Sequence, residues 1–198
     1  MIHDISIATN QSQHVTGKAS IAVRRATQAD TSTLTELGAR TIRQTYGAAF
    51  SPEVLDRYNS EALNTEQIKA DLANPEIVYF LATVNHQVVG YAKLQTMPTP
   101  DAIADTHPVE LVRLYLDSRW IGQGIGAKLM QTVLDFAVNH EFKTCWLRVL
   151  EGNERAIAFY RRWGFVEVGS ETYPAGDVSV TVLLMQLALK LHLSLLGE

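Results

Sequence analysis

Gly122, Gly124 and Gly126 stand at alternate positions between a strand-like run, Val109–Leu116, and a helical pattern. The run has no Gly or Pro and is rich in Val, Leu and Tyr, as a mostly buried strand would be. The helical pattern carries Ile125, Leu129, Val133, Phe136 and Ala137 on one face. A glycine turn that opens a helix leaves the first helical N–H groups free and lets a ligand approach the backbone closely. Such a turn can hold a phosphate or pyrophosphate. Ordinary strand-to-helix turns also use glycines, so the spacing alone leaves both readings open. A helix terminus gives an anion about 0.3–2 kcal/mol, whereas micromolar binding needs about 8 kcal/mol. Any ligand here must therefore make many contacts beyond its phosphates.

Residues 122–127 read GQGIGA, which fits the dinucleotide pattern G-x-G-x-x-A, and Glu151 follows the next strand-like run where a ribose-binding acid could sit. Against this, Asp117–Ile121 is a long connection for that tight turn, and residue 122 of 198 is late for a full doubly wound sheet. A Walker loop is excluded, because Lys128 is followed by Leu129 rather than Ser or Thr. Downstream, Asn153 is a good N-cap for a helix over 154–163, and Gly164 suits the position just past its end. Asn153 and Tyr160 are two helical turns apart, so their side chains can look the same way.

Taken together, GQGIGAKL and, one strand later, NERAIAFYRRWGF resemble the GNAT superfamily of acetyl-CoA-dependent N-acetyltransferases. The resemblance spans residues 21–190, and WIGQGIG, WLRV and NERAIAFYRRWGF are most similar to the PaiA-type polyamine acetyltransferase branch. One departure is Ile121, where the family usually has Arg or Gln. The resemblance implies an α/β (α+β) fold with a mixed, mostly antiparallel central sheet and helices on both faces. It also implies a splay between the fourth and fifth strands, with pantetheine and acetyl group on the backbones of Leu114, Tyr115 and Leu116. Gly122, Gln123, Gly124, Ile125, Gly126, Ala127 and Lys128 carry over to the pyrophosphate, helped by the side chains of Arg119, Gln123 or Lys128. Asn153 would bind the cofactor or an ordered water, with pure helix capping as the rival.

Tyr160 matches the family's usual partner for the departing sulfur. A tyrosine near pKa 10 and a thiol near 8.5 make full proton transfer uphill by roughly 2 kcal/mol. Tyr160 is therefore expected to donate a hydrogen bond; an aromatic core pair with Phe159 is its structural alternative. Glu110 is the expected base, directly or through water, with a solvated strand end as its alternative. Strand alternation would put Glu110, Val112, Leu114 and Leu116 on one face. Arg113, Arg148 and Arg155 read as surface or structural charges. A non-catalytic acyl-CoA sensor remains the competing function class, disfavoured by having both Tyr160 and Glu110.

Several elements must position these groups. At 198 residues and 46% hydrophobic content, one domain over 21–190 is expected, with residues 1–20 as a loosely ordered arm and 191–198 as a tail. The net charge of −4 does not point to nucleic acid or an anionic membrane. One cysteine, Cys145, allows no disulfide within the chain, which fits a cytoplasmic location. The six histidines lack metal-ligand spacing, so no metal is expected.

Ile21–Ala26 reads as a first strand, followed by a helix from Asp30 carrying Leu34, Leu37, Thr41 and Ile42. One further helical region runs from Pro52 through Leu72. Ile77–Val84 and Val88–Gln95 form a hairpin, and a proline-containing loop over 97–107 precedes the central strand. Phe165–Tyr173 and Val178–Leu187 make a last strand pair, and the alternating tail would extend it, against a second copy in a homodimer.

The acceptor reading rests on charge. Glu53, Asp56, Glu61, Glu66, Asp71 and Glu76 outnumber Arg43, Arg57 and Lys69 between the first helix and the hairpin, and Glu167, Glu171 and Asp177 add to them. An acidic rim would attract a cationic small-molecule amine, a polyamine first. The apolar stretch Val178–Val182 keeps a protein or peptide amine as the alternative.

Overall fold

The computed structural model describes residues 20–103, 105–175 and 178–189. In chain order the elements are β1 (Ile21–Arg25), α1 (Thr31–Tyr46), α2 (Pro52–Ala62), α3 (Thr65–Ala73), β2 (Ile77–Val84) and β3 (Gln87–Gln95). There follow β4 (Pro108–Leu116), α4 (Ile125–Asn139), β5 (Thr144–Leu150), α5 (Glu154–Arg162), β6 (Val166–Ala175) and β7 (Val178–Ala188). The strands form one seven-stranded sheet in the order β1-β2-β3-β4-β5-β7-β6. Every neighbouring pair is antiparallel except β4–β5, which is parallel. The expected mixed, mostly antiparallel sheet is therefore what the chain builds.

Local chemistry explains several joints. β2 and β3 are linked through Asn85 and His86, both at positive φ (48° and 68°). That is the handedness a two-residue hairpin turn needs to match strand twist. Asp30, at the start of α1, accepts from the Thr27 N–H at 2.8 Å and pairs with Arg24 at 2.7 Å. The region from Pro52 to Leu72 differs from expectation: it is two helices rather than one. Asn64 accepts the Gln67 N–H at 2.9 Å, so its side chain starts a new helix, while Leu63 turns fully into the core. An N-cap asparagine stabilises a helix start better than a helix interior, which explains the break.

The sheet separates two apolar layers. On one face α4 and α5 pack Ile125, Leu129, Met130, Val133, Ala137, Ile157 and Tyr160 against Ala92, Leu111, Cys145 and Leu147. On the other, α1–α3 pack Leu34, Leu37, Ile42, Leu55, Leu63 and Ile68 against Tyr79, Leu81 and Tyr91. Each large side chain buried in this way contributes about 1.5–3 kcal/mol. Leu129→Ala alone would cost about 2–5 kcal/mol. Ile103, from the proline-containing loop, closes a third small cluster with Trp146 and Leu184. The Leu189 N–H donates to the Lys143 carbonyl at 2.7 Å. The expected N-terminal arm and the rest of the tail, with its homodimer contact, lie outside the described residues. No helix among the described residues is long and apolar enough to cross a membrane.

Candidate functional site

β4 and β5 pair only at Pro108–Thr144, Val109–Cys145 and Glu110–Trp146. Beyond that they part, while β5 stays paired with β7 on its other edge along all seven of its residues. From Leu111 to Leu116, β4 keeps β3 on one side and borders a cleft of about 490 Å³ on the other. A strand edge left free in this way can pair with an extended ligand. Leu114, Tyr115 and Leu116 all line the cleft.

The register of β4 corrects the expected face. Lys93 lies opposite Arg113 and Leu94 opposite Leu111, so Val112 is an extra residue in the ladder. A bulge shifts every side chain beyond it to the other face. Leu111, Leu114 and Leu116 therefore join the α4 layer, while Tyr115 joins the α1–α3 layer and Arg113 reaches Tyr58 and Ala62 of α2. Glu110 does not share a face with Leu114 and Leu116. It is 5% exposed, paired to Arg148 at 2.7 Å and bonded by Gln95 at 3.1 Å, and it is not among the lining residues.

At one end of the cleft is the glycine turn. Gly122 and Gly124 have φ of 83° and 80°, and a Cβ added at either meets no heavy atom within 4 Å. Glycine is thus required by conformation, and the space beside it is open. Gly126 has ordinary φ; a Cβ there would lie 3.5 Å from Leu116 Cδ1. Because α4 starts at Ile125, the N–H groups of Ile125, Gly126 and Ala127 precede its first intrahelical bond, which Lys128 N–H makes to the Gly124 carbonyl at 3.1 Å. Gly122, Gly124, Gly126 and Ala127 line the cleft together with Ile121, whereas Gln123, Ile125 and Lys128 do not. Ile125 is a core residue. The helping side chains are all engaged elsewhere: Arg119 with Asp117 at 2.9 Å, Gln123 with the Arg119 carbonyl at 3.0 Å, and Lys128 with the Ile21 carbonyl at 2.6 Å.

The other wall comes from α5 and α1. Asn153 Oδ1 accepts the Ala156 N–H at 3.2 Å, so it caps α5, and it also lines the cleft. Tyr160 is 9% exposed, with its ring centroid 5.6 Å from Phe159 and 5.8 Å from Phe165. Burial, with Tyr46 nearby, holds its phenol well above the usual tyrosine range. Its hydroxyl makes no hydrogen bond with the described residues, and the residue lines the cleft. A neutral O–H of this kind can donate to a charge that develops nearby.

Tyr46, which the sequence reading passed over, also lines the cleft, and its hydroxyl is 3.2 Å from that of Tyr115. Its position four residues after Ile42, on the buried stripe of α1, carried the signal that it points inward. Burial raises the pKa of Tyr46 and Tyr115 alike, so neither serves as a base near neutrality.

Among the described residues four arginines line the cleft, Arg113, Arg148, Arg155 and Arg162, and no Asp, Glu or His does. Arg148 is structural as expected, bridging Glu110 and Glu171 and stacking 4.6 Å from the Trp146 ring. Arg113 is not a surface charge; it is 7% exposed. Five acids of the expected rim are paired within the chain, while Glu53, Glu61 and Glu76 form no ion pair among the described residues. Asp56 meets Arg43, Glu66 meets Lys69, Asp71 meets Lys93, Glu167 meets Arg161 and Glu171 meets Arg148.

Comparison with known proteins places the chain. Residues 39–165 match the acetyltransferase (GNAT) family. An uncharacterized N-acetyltransferase of Mycobacterium bovis is 31% identical over 147 residues, covering 74% of this chain and 90% of that protein. The spermine/spermidine N(1)-acetyltransferase of Bacillus subtilis is 32% identical over 97 residues, 48% of this chain and 64% of that one. The N-alpha-acetyltransferase RimI of Mycobacterium tuberculosis is 33% identical over 100 residues, 50% of this chain and 58% of that one. The PaiA N-acetyltransferase of Thermoplasma acidophilum, solved with coenzyme A, superposes with a TM-score of 0.69 at 20% identity, over 85% of this chain and 99% of that one. With the family pattern running from α1 through α5, the chain belongs to the GNAT family and is an acetyltransferase.

Proposed function

We propose that the chain moves an acetyl group from acetyl-CoA to the nitrogen of a small amine by direct attack. The observation that carries this is the free edge of β4, which runs from the glycine turn to Tyr160 along one cleft. The residues fit the co-substrate: open space at Gly122 and Gly124 for a pyrophosphate, unpaired N–H groups at the start of α4, and an unpaired strand edge for pantetheine. Acetyl-CoA supplies the acetyl group as a thioester. The backbone N–H of Leu114 or Leu116 takes the oxyanion role, and Asn153 combines capping with a cofactor contact. Tyr160 donates its hydroxyl hydrogen bond to the sulfur as the C–N bond forms and the C–S bond breaks. The amine proton passes to water, because no carboxylate of the described residues lines the cleft and Glu110 is held by Arg148.

The acceptor is open to a narrower reading. A polyamine agrees with the acid count and with the name of the Bacillus subtilis relative, whereas RimI acts as an N-alpha-acetyltransferase by its name. Pairing of the acids and the arginine lining weaken the polyamine reading. The test is thiol release from acetyl-CoA with an amine panel that includes spermidine, spermine and a peptide N-terminus at low salt. Amine-dependent release is expected. Its absence with every amine, with no calorimetric binding of acetyl-CoA, would refute the transferase reading of this site.

A further inference from the structure

We propose that the acceptor amine also carries a carboxylate, and that Arg113 receives it; this rests on the acetyl-transfer reading above. Arg113 follows the Val112 bulge, precedes Leu114 and lines the cleft while only 7% exposed. Its Nη2 donates to the Tyr58 hydroxyl at 3.2 Å and to the Ala62 carbonyl at 3.4 Å. Its Nε and Nη1 have no partner among the described residues, and none of their carboxylates forms an ion pair with it. A guanidinium stays charged at every working pH. Burying one without a counter-ion costs stability, so a ligand that supplies the counter-ion accounts for it better than packing does.

The surrounding charges point to a zwitterion. Lys93 and Asp71 pair with each other at 2.6 Å, leaving Arg113 as the surplus positive charge of that cluster. At the base of the splay Arg148 of β5 is shared between Glu110 of β4 and Glu171 of β6, leaving one surplus negative charge there. Both arginines line the same cleft. An ammonium is drawn toward the second cluster while a carboxylate reaches the first. A polycation would instead set a second ammonium against Arg113. On the same side of the sheet, the Tyr91 hydroxyl and both side-chain polar atoms of Asn59 also have no hydrogen-bond partner among the described residues. Tyr58, 40% exposed, lies with its ring 5.9 Å from the guanidinium, and this side chain must swing aside for the carboxylate to enter.

The test follows thiol release from acetyl-CoA with each free L-amino acid beside its own carboxamide, and with spermidine and O-phosphoethanolamine as separate arms. At least one amino acid should exceed its carboxamide in kcat/KM by about thirtyfold or more, as for loss of one member of a buried charge pair. Arg113→Met should erase that preference and Arg113→Lys keep part of it, with acetyl-CoA affinity changed less than about threefold. Since Arg113→Met removes an unpaired buried charge, it should melt at or above the wild-type temperature. A clearly lower melting point makes Arg113 structural and overturns the proposal. Equal rates for acid and amide, highest rates with spermidine or O-phosphoethanolamine, or a preference that survives Arg113→Met also overturn it, and leave acetyl transfer standing. Failure of every amino acid while acetyl-CoA still binds does the same.

Discussion

Replacing Tyr160 with Phe separates chemistry from packing because of how the residue is held. The ring lies between Phe159 and Phe165, and a phenylalanine keeps those contacts. The hydroxyl makes no hydrogen bond with the described residues, so its removal leaves no partner of theirs unsatisfied. Stability should therefore change by less than about 0.5 kcal/mol, as for a substitution that breaks no named interaction. A hydrogen bond to a developing thiolate is different. Losing one to a charged group costs about 1.5–3 kcal/mol, or about ten- to a hundredfold in kcat. Because burial holds the phenol above its usual range, Tyr160 stays protonated near neutrality and adds no limb to the pH profile there. The assay is steady-state thiol release at saturating acetyl-CoA, with a thermal melt and calorimetric acetyl-CoA titration on the same preparation. An unchanged kcat with a lowered melting point would sink the sulfur-partner role and leave Tyr160 as core.

Gly126→Val should weaken acetyl-CoA binding at least about tenfold by calorimetry, since φ there is ordinary and the side chain fills the phosphate approach. Unchanged affinity in folded protein would remove the glycine turn from the site. Glu110→Gln should lower the melting temperature, because Arg148 loses a buried partner, yet leave the pH dependence of kcat/KM following the acceptor's own amine. Loss of the acidic limb would restore Glu110 as the base. Asp30 is held at about 2, chiefly by the Arg24 hydrogen bond, below its unfolded value near 4. A depressed folded pKa stabilises above the unfolded value and is lost as pH falls through the folded one. Wild type and Asp30→Asn should therefore differ in melting point at pH 6 and converge by about pH 2; a constant gap would contradict the pairing.

What the sequence determined by itself was local. The glycine turn that opens α4 follows from spacing and residue type, and so does the Asn153 cap, because each depends on neighbours within one or two turns. The parting of β4 and β5 was implied by the family resemblance, and no pattern in the residues of either strand marks it. Tertiary structure decided the rest. Alternation along β4 assigned Glu110 to the face of Leu114, but the extra residue Val112 is visible only against β3. Glu110 looked free until Arg148, on β5, met it at 2.7 Å. Asp56 of α2 and Asp71 of α3 belonged to a charge count in the sequence and became ion pairs once Arg43 and Lys93 were brought beside them. Arg113 is the clearest case: as a letter in an apolar strand it read as a surface or structural charge without a choice between them, and its burial depends on α2 folding over β4. Backbone conformation is dictated by adjacent residues, whereas the partner of a charge is dictated by segments far along the chain, and that difference is why the turn was readable and the charge map was not.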